Sequence, residues 1–104
     1  MQKTREIQVS QTSLNSGYLQ VPGPYLGMDK TNELMEILYS LIEEKVMHVV
    51  IDLNEIERMN SIAIGKLLYF QNLLYNQGGS LRIQGLKPEV LDLLRMLKID
   101  DLLT

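Results

Sequence analysis

The sequence has no cysteine, which excludes a disulfide framework, a thiolate metal site and a cysteine nucleophile. It has one histidine, His48, so neither a second imidazole nor a thiol is available to complete a metal site or a nucleophilic dyad with it. No run of about 18 apolar residues exists to span a bilayer, and the opening MQKTREIQVS lacks the apolar centre of a signal peptide. The expectation is a cytoplasmic protein without membrane insertion. A basic stripe is also missing: 13 acids stand against 10 bases, giving a net charge of −3, which sets nucleic acid aside as a partner. The glycine pair Gly78 and Gly79 ends a helix pattern and precedes a strand, the reverse of the order that cradles phosphate, so no cofactor is expected. Neither an internal repeat nor a low-complexity segment interrupts the chain. Its 104 residues make one domain, 1–104, large enough to bury roughly 60 to 70% of the surface its unfolded form exposes.

What is present is organised around MHVVIDLNEIERMNSIAIG, residues 47–65. Val49, Val50, Ile51 and Leu53 form a β-branched-rich run that reads as a strand buried on both faces, ending at Asp52. A short polar connection, 54–59, leads to Asn60 and Ser61, and Ser61 reads as the N-cap or first residue of a helix. Ahead of this core, residues 5–10 and 17–21 alternate as two short antiparallel strands, with Ile7 and Val9 on one face of the first and Tyr18 opposed to Leu19 and Val21 in the second. The link 11–16 reads as a longer hairpin turn. Prolines and glycines at 22–27 then stop regular structure, and Asp29 caps a helix whose stripe is Leu34, Ile37, Leu38, Leu41 and Ile42.

After Ser61 the helix pattern runs to about residue 76. Ile64, Leu67, Leu68 and Leu74 form a core stripe with Ala63 and Phe70 beside it, while Ile62, Tyr69, Leu73 and Tyr75 extend around the other side. A helix apolar nearly all round is either deeply buried or covered by a partner. SLRIQ, residues 80–84, is a further strand, and Lys87, Pro88 and Glu89 start a third helix with Val90, Leu91, Leu94 and Leu97 as its stripe. Residues 99–103 form a short terminal element. The order is β-β-α-β-α-β-α, and helical crossovers imply a small, mostly parallel four-stranded α/β sheet. The helices pack mainly on one face, with the first hairpin and the chain ends thinly covering the other.

Catalytic chemistry is sparse. Asp52 and Asp29 could chelate magnesium, but two solvated or capping acids is the plainer reading, and no metal site is expected. Ser61 has two readings. It is an ordinary cap, or it accepts a phosphate at the positive end of the helix dipole, where about −1.5 to −2 added charges would be stabilised in the free protein and would repel a partner packed over Ile62.

At these residues the sequence resembles a family. VVIDLNEIERMNSIAIGKLL followed by GGSLRIQGLKPEVLDLLRMLKID looks like the STAS domain of bacterial anti-sigma factor antagonists. The matching features are Asp52 and Leu53, Asn60 and Ser61, Gly78 and Gly79, then Gly85, Leu86, Pro88 and Val90, and finally Lys98, Ile99 and Leu102. By that resemblance Ser61 matches the phosphoacceptor serine and the Met28-Asp29 pair matches a Leu-Asp that helps form the partner surface. The implied surface comprises Asp29, Asn60, Ser61, Ile62, Ala63, Gly65, Lys66 and Tyr69. The implied partners are a serine-kinase anti-sigma factor of the histidine-kinase-like ATPase fold and a metal-dependent serine phosphatase. The chain would be their substrate and not an enzyme, as a monomer or weak homodimer. Asn60 stands where aspartate is usual, Ile62 where a second serine is common and Ala63 where glycine is common. The Ser-Ile-Ala form is closer to the apolar motif of scaffold-type members, so a non-switching scaffold or accessory subunit of a regulatory or transport complex is the alternative.

Overall fold

A computed structural model describes residues 6–103. The β-branched and alternating segments form a sheet of four strands: β1 (Gln8–Ser13), β2 (Ser16–Gln20), β4 (His48–Asp52) and β6 (Ser80–Gln84), in the order β1-β2-β4-β6. β1 runs antiparallel to β2, and β2, β4 and β6 are parallel. Two short strands between them, β3 (Tyr25–Leu26) and β5 (Arg58–Met59), make a separate parallel ladder. The helices are α1 (Met28–Glu43), α2 (Ser61–Asn76), α3 (Pro88–Met96) and α4 (Asp100–Leu103).

The register sorts the sheet into two faces. Leu19, Val49, Ile51, Leu81 and Ile83 share one face and are buried with Leu34, Leu38, Leu67, Phe70 and Leu74 of the helices. Residues of the alternate register, Tyr18, Val50 and Arg82 among them, lie on the other face, which stays half-open or exposed except at buried Asp52. The helices therefore pack on one face, as the sequence implies. β4 is correspondingly not buried on both faces: Val50 is half-buried and His48 exposed.

Several local expectations are corrected. The first strand starts at Gln8 rather than residue 5, which lies outside the described residues, and continues through Gln11, Thr12 and Ser13, so the hairpin turn shrinks to residues 14–15. Polar residues suffice there because β1 is an edge strand whose six residues are all exposed, Val9 among them. The hairpin extends the sheet edge and does not cover its open face. The loop 22–27 and the connection 54–59, read as irregular, each contribute one strand of the β3–β5 ladder. Leu97 leaves the third stripe for solvent because the helix ends at Met96, and half-buried Ile99 takes up the packing.

Candidate functional site

The β3–β5 ladder sets two helix starts side by side. Tyr25 pairs with Arg58 and Leu26 with Met59. One residue further on, Gly27 and Asn60 are the N-caps of α1 and α2, and Met28 and Ser61 are their first helical residues. The platform is tied down by Glu57 N–H and Arg58 N–H donating to the Pro24 carbonyl at 2.7 and 3.2 Å, and by Asn60 N–H donating to that of Leu26 at 2.9 Å. Lys30 Nζ donates to the Pro22 carbonyl at 2.7 Å, and the Arg58 guanidinium lies 5.6 Å from the Tyr25 ring centre. Two helix dipoles thus present their positive ends at one end of the molecule.

Capping there corrects the sequence reading at Asp29 and decides between the two readings at Ser61, N-cap and first helical residue. Asp29 does not cap α1: Gly27 holds that position without a side-chain bond, and exposed Asp29 contributes its charge from the first turn. Ser61 is the first helical residue and Asn60 the cap, its Oδ1 accepting from Ile62 N–H at 2.7 Å. The cap bond therefore does not need the Ser61 hydroxyl, and Ser61 stands exposed. Because Asn60 is neutral, the residue before Ser61 adds no anion.

From Ser61 an exposed strip follows the seam between α1 and α2. Met28, Ile62, Tyr39 and Tyr69 each keep close to half of their surface in solvent. Met35, Tyr39, Gly65, Lys66, Tyr69 and Phe70 line a groove of about 330 Å³. Gly65 forms a notch in it, since a Cβ there would meet no atom within 4 Å. Tyr39 and Tyr69 both stand edge-on to Phe70, with ring centres at 4.7 and 5.5 Å. The bond to the Tyr69 side chain, and then burial, push the Tyr39 phenol above its ordinary value. Of the residues the resemblance named, Asn60, Ser61, Ile62, Gly65, Lys66 and Tyr69 lie on the exposed or half-exposed side of α2, and Asp29 is at the neighbouring helix start. Ala63 is turned inward and 1% exposed, so its side chain supports this surface from beneath. Tyr39 and Met35 went unnoticed in the sequence, where they belong to a helix with an ordinary amphipathic pattern; the signal was that Tyr39 is an aromatic beside a wet face.

Asp52 and Asp29 do not meet in a metal cluster: Asp52 is engaged by Tyr18 and Asn54 in the sheet, and among the described residues no group of three His, Asp or Glu converges. His48 faces outward on the open sheet, its Nδ1 3.0 Å from the Ser80 hydroxyl. No helix among the described residues is long and apolar enough to cross a membrane.

The family model of the STAS domain matches residues 11–104. A structure of the anti-sigma factor antagonist SpoIIAA in its unphosphorylated form superposes with a TM-score of 0.80 at 13% identity, covering 94% of this chain and 85% of that one. The Bacillus cell fate determinant SpoIIAA in its phosphorylated form gives 0.75 at 11% identity, covering 94% and 88%. No curated protein is significantly similar in sequence.

Proposed function

The chain belongs to the STAS domain family, and from that premise we propose that it is a phosphorylation-controlled binding switch of the anti-sigma factor antagonist type. The observation that carries this is Ser61: exposed, relieved of capping by Asn60, and placed where the apolar α1–α2 seam begins. Unmodified, the seam docks a serine-kinase anti-sigma factor of the histidine-kinase-like ATPase fold over Ile62, Gly65 and Tyr69. The kinase transfers the γ-phosphoryl group of ATP to Ser61 Oγ, ADP leaves, and the hydroxyl proton passes to a base on the kinase. A metal-dependent serine phosphatase resets the switch by hydrolysis, releasing inorganic phosphate. The chain is the substrate of both steps and catalyses neither.

The energetics favour such a device. In the free protein the phosphate sits at a helix start, where dipole and N–H groups stabilise it. In the complex the same dianion would be buried against apolar surface, which costs several kcal/mol without a matching cation. About 3 kcal/mol changes affinity more than a hundredfold. Ile62, a half-exposed apolar side chain beside Ser61, favours the second reading, a permanent interface on the same seam.

Phosphosite analysis of the protein from its native cells, with capture by wild-type, Ser61→Ala and Ser61→Asp chains, separates the two. The switch predicts phosphate on Ser61 and an ATPase-fold kinase held by wild-type and Ser61→Ala but released by Ser61→Asp, whose folding stability stays within about 0.5 kcal/mol of wild type. An unmodified Ser61 in all growth conditions, with a partner held equally by Ser61→Asp, assigns the permanent interface instead.

A further inference from the structure

We propose that the open face of the sheet carries a second, separate site that binds small organic phosphomonoesters. At the beginnings of the parallel strands, Ser16, His48 and Ser80 stand side by side in one row, and Tyr18, Val50 and Arg82 form the next row on the same face. Together with Thr12 of the edge strand they line a depression of about 280 Å³. The Ser80 hydroxyl holds His48 through Nδ1, which leaves Nε2 without a protein partner among the described residues. The Arg82 guanidinium likewise has no partner among them.

The chemistry of this lining is one-sided. In a chain with 13 acids and a net charge of −3, no carboxylate among the described residues borders the depression. The acid on this face, Asp52, lies at the far end of β4 and accepts hydrogen bonds from Tyr18 and Asn54. A guanidinium fork, an imidazole and several hydroxyls suit a tetrahedral oxyanion, because the fork offers parallel donors and the hydroxyls adapt to the remaining oxygens. Half-buried Val50 and the Tyr18 ring supply a partly apolar floor, which selects an ester with an organic body over bare phosphate. Arg82 also borders a groove of about 520 Å³ that Asp101 lines, so Asp101 is the charge that competes for it. The site shares no residue with the Ser61 surface and lies at the opposite end of β4, so either reading can fail alone.

The test is an amide-resolved NMR titration of the full chain with phenyl phosphate and, separately, inorganic phosphate. Saturable shifts at Ser16, His48, Ser80 and Arg82, tighter for phenyl phosphate, are expected. Arg82→Gln should weaken binding about tenfold with core amides unmoved, the loss of one charge-assisted contact. Asp101→Asn should bind at least as tightly as wild type. Cosedimentation with phosphatidylcholine vesicles carrying phosphatidic acid tells the two sources of the phosphomonoester apart: retention assigns a lipid headgroup, and its absence with phenyl phosphate bound assigns a soluble ester. No saturable shift up to about 10 mM, beyond the affinity of even a weak specific site, overturns the proposal. Shifts gathered elsewhere, or unchanged binding by Arg82→Gln, overturn it equally.

Discussion

Asp52 shows at the residue scale how one buried charge closes the end of the sheet. It is 7% exposed, at the carboxyl end of β4. Burial by itself would push its carboxyl up, but the Tyr18 hydroxyl, the Asn54 N–H and the Gln84 amide donate toward it and hold it below its ordinary value. Tyr18 in turn is raised, first by its bond to Asp52, then by burial and by the carboxylate charge. A depressed carboxylate contributes stability that is present above its unfolded pKa, about 3.9, and is lost as pH falls through the folded value. A raised phenol contributes stability that is present below its unfolded pKa, about 10, and is lost as pH rises through the folded one. Asp52→Ala should therefore cost about 1 to 3 kcal/mol near neutrality, from donors left without an acceptor, and the gap to wild type should close on acidification. Urea unfolding across the acid range measures this; a gap independent of pH would contradict the assignment. In Tyr18→Phe, Asp52 moves back toward its ordinary value, so acid unfolding should begin at a higher pH than in wild type. Gly85 belongs to the same knot. Its φ is 74°, and a Cβ there would lie 2.7 Å from Asp52 Oδ1 and 2.9 Å from the Asn54 Cβ, which ties the glycine after β6 to the carboxylate it must clear.

At the scale of elements, α2 holds most of the candidate site, and its sequence was readable in some respects and not in others. Its start at Ser61 and its end before Gly78, with φ 85°, follow from local chemistry and were legible. So were the inward faces of α1 and β6, because periods of 3.6 and 2 survive in any context. The division of labour between Asn60 and Ser61 was not, since serine and asparagine cap almost equally well and only the backbone path shows which one sits outside the helix. Asn60→Ala should cost about 1 kcal/mol, measured by denaturant unfolding, while Ser61→Ala should leave stability nearly unchanged. The resemblance placed Gly65 on the implied partner surface, but that Gly65 opens a notch there depends on which neighbouring side chains reach toward it, and this is visible only in the packed structure. Gly65→Ala has nothing to clash with, so it should stabilise the fold by about 0.5 to 1 kcal/mol. The added methyl fills the notch, and partner affinity should fall about tenfold in the same variant, a loss of about 1.4 kcal/mol. Opposite signs for stability and binding would mark Gly65 as a contact residue; a rise in both would exclude it from the interface.

At the scale of the whole molecule, the site depends on a joint far weaker than the sheet beside it. The four-stranded sheet is backed by a continuous buried cluster that includes Leu19, Ile51, Leu67 and Phe70. The β3–β5 ladder that sets α1 and α2 in register has two residues in each strand. Strands this short leave no periodic pattern, because their pairing is decided by residues more than thirty positions apart, and that is why they were invisible in the sequence while the mostly parallel four-stranded sheet was not. Small ladders open without global unfolding. The N–H groups of Arg58 and Asn60, bonded to the Pro24 and Leu26 carbonyls, should exchange with solvent well before those inside β4. The joint can also be loosened selectively. A Cβ on Gly23 would fall 1.9 Å from the Glu55 carbonyl oxygen, so Gly23→Ala must push the 22–27 segment away from the connection that carries β5. In that variant the Arg58 and Asn60 amides should lose protection while Val49 and Ile51 keep theirs, and binding at the α1–α2 seam should weaken although Ser61 and its helix are untouched. Hydrogen exchange followed residue by residue decides it. Protection lost evenly along the chain would mean that the ladder is part of the global fold, and the two helix starts would then be fixed by the core and not by a separable joint.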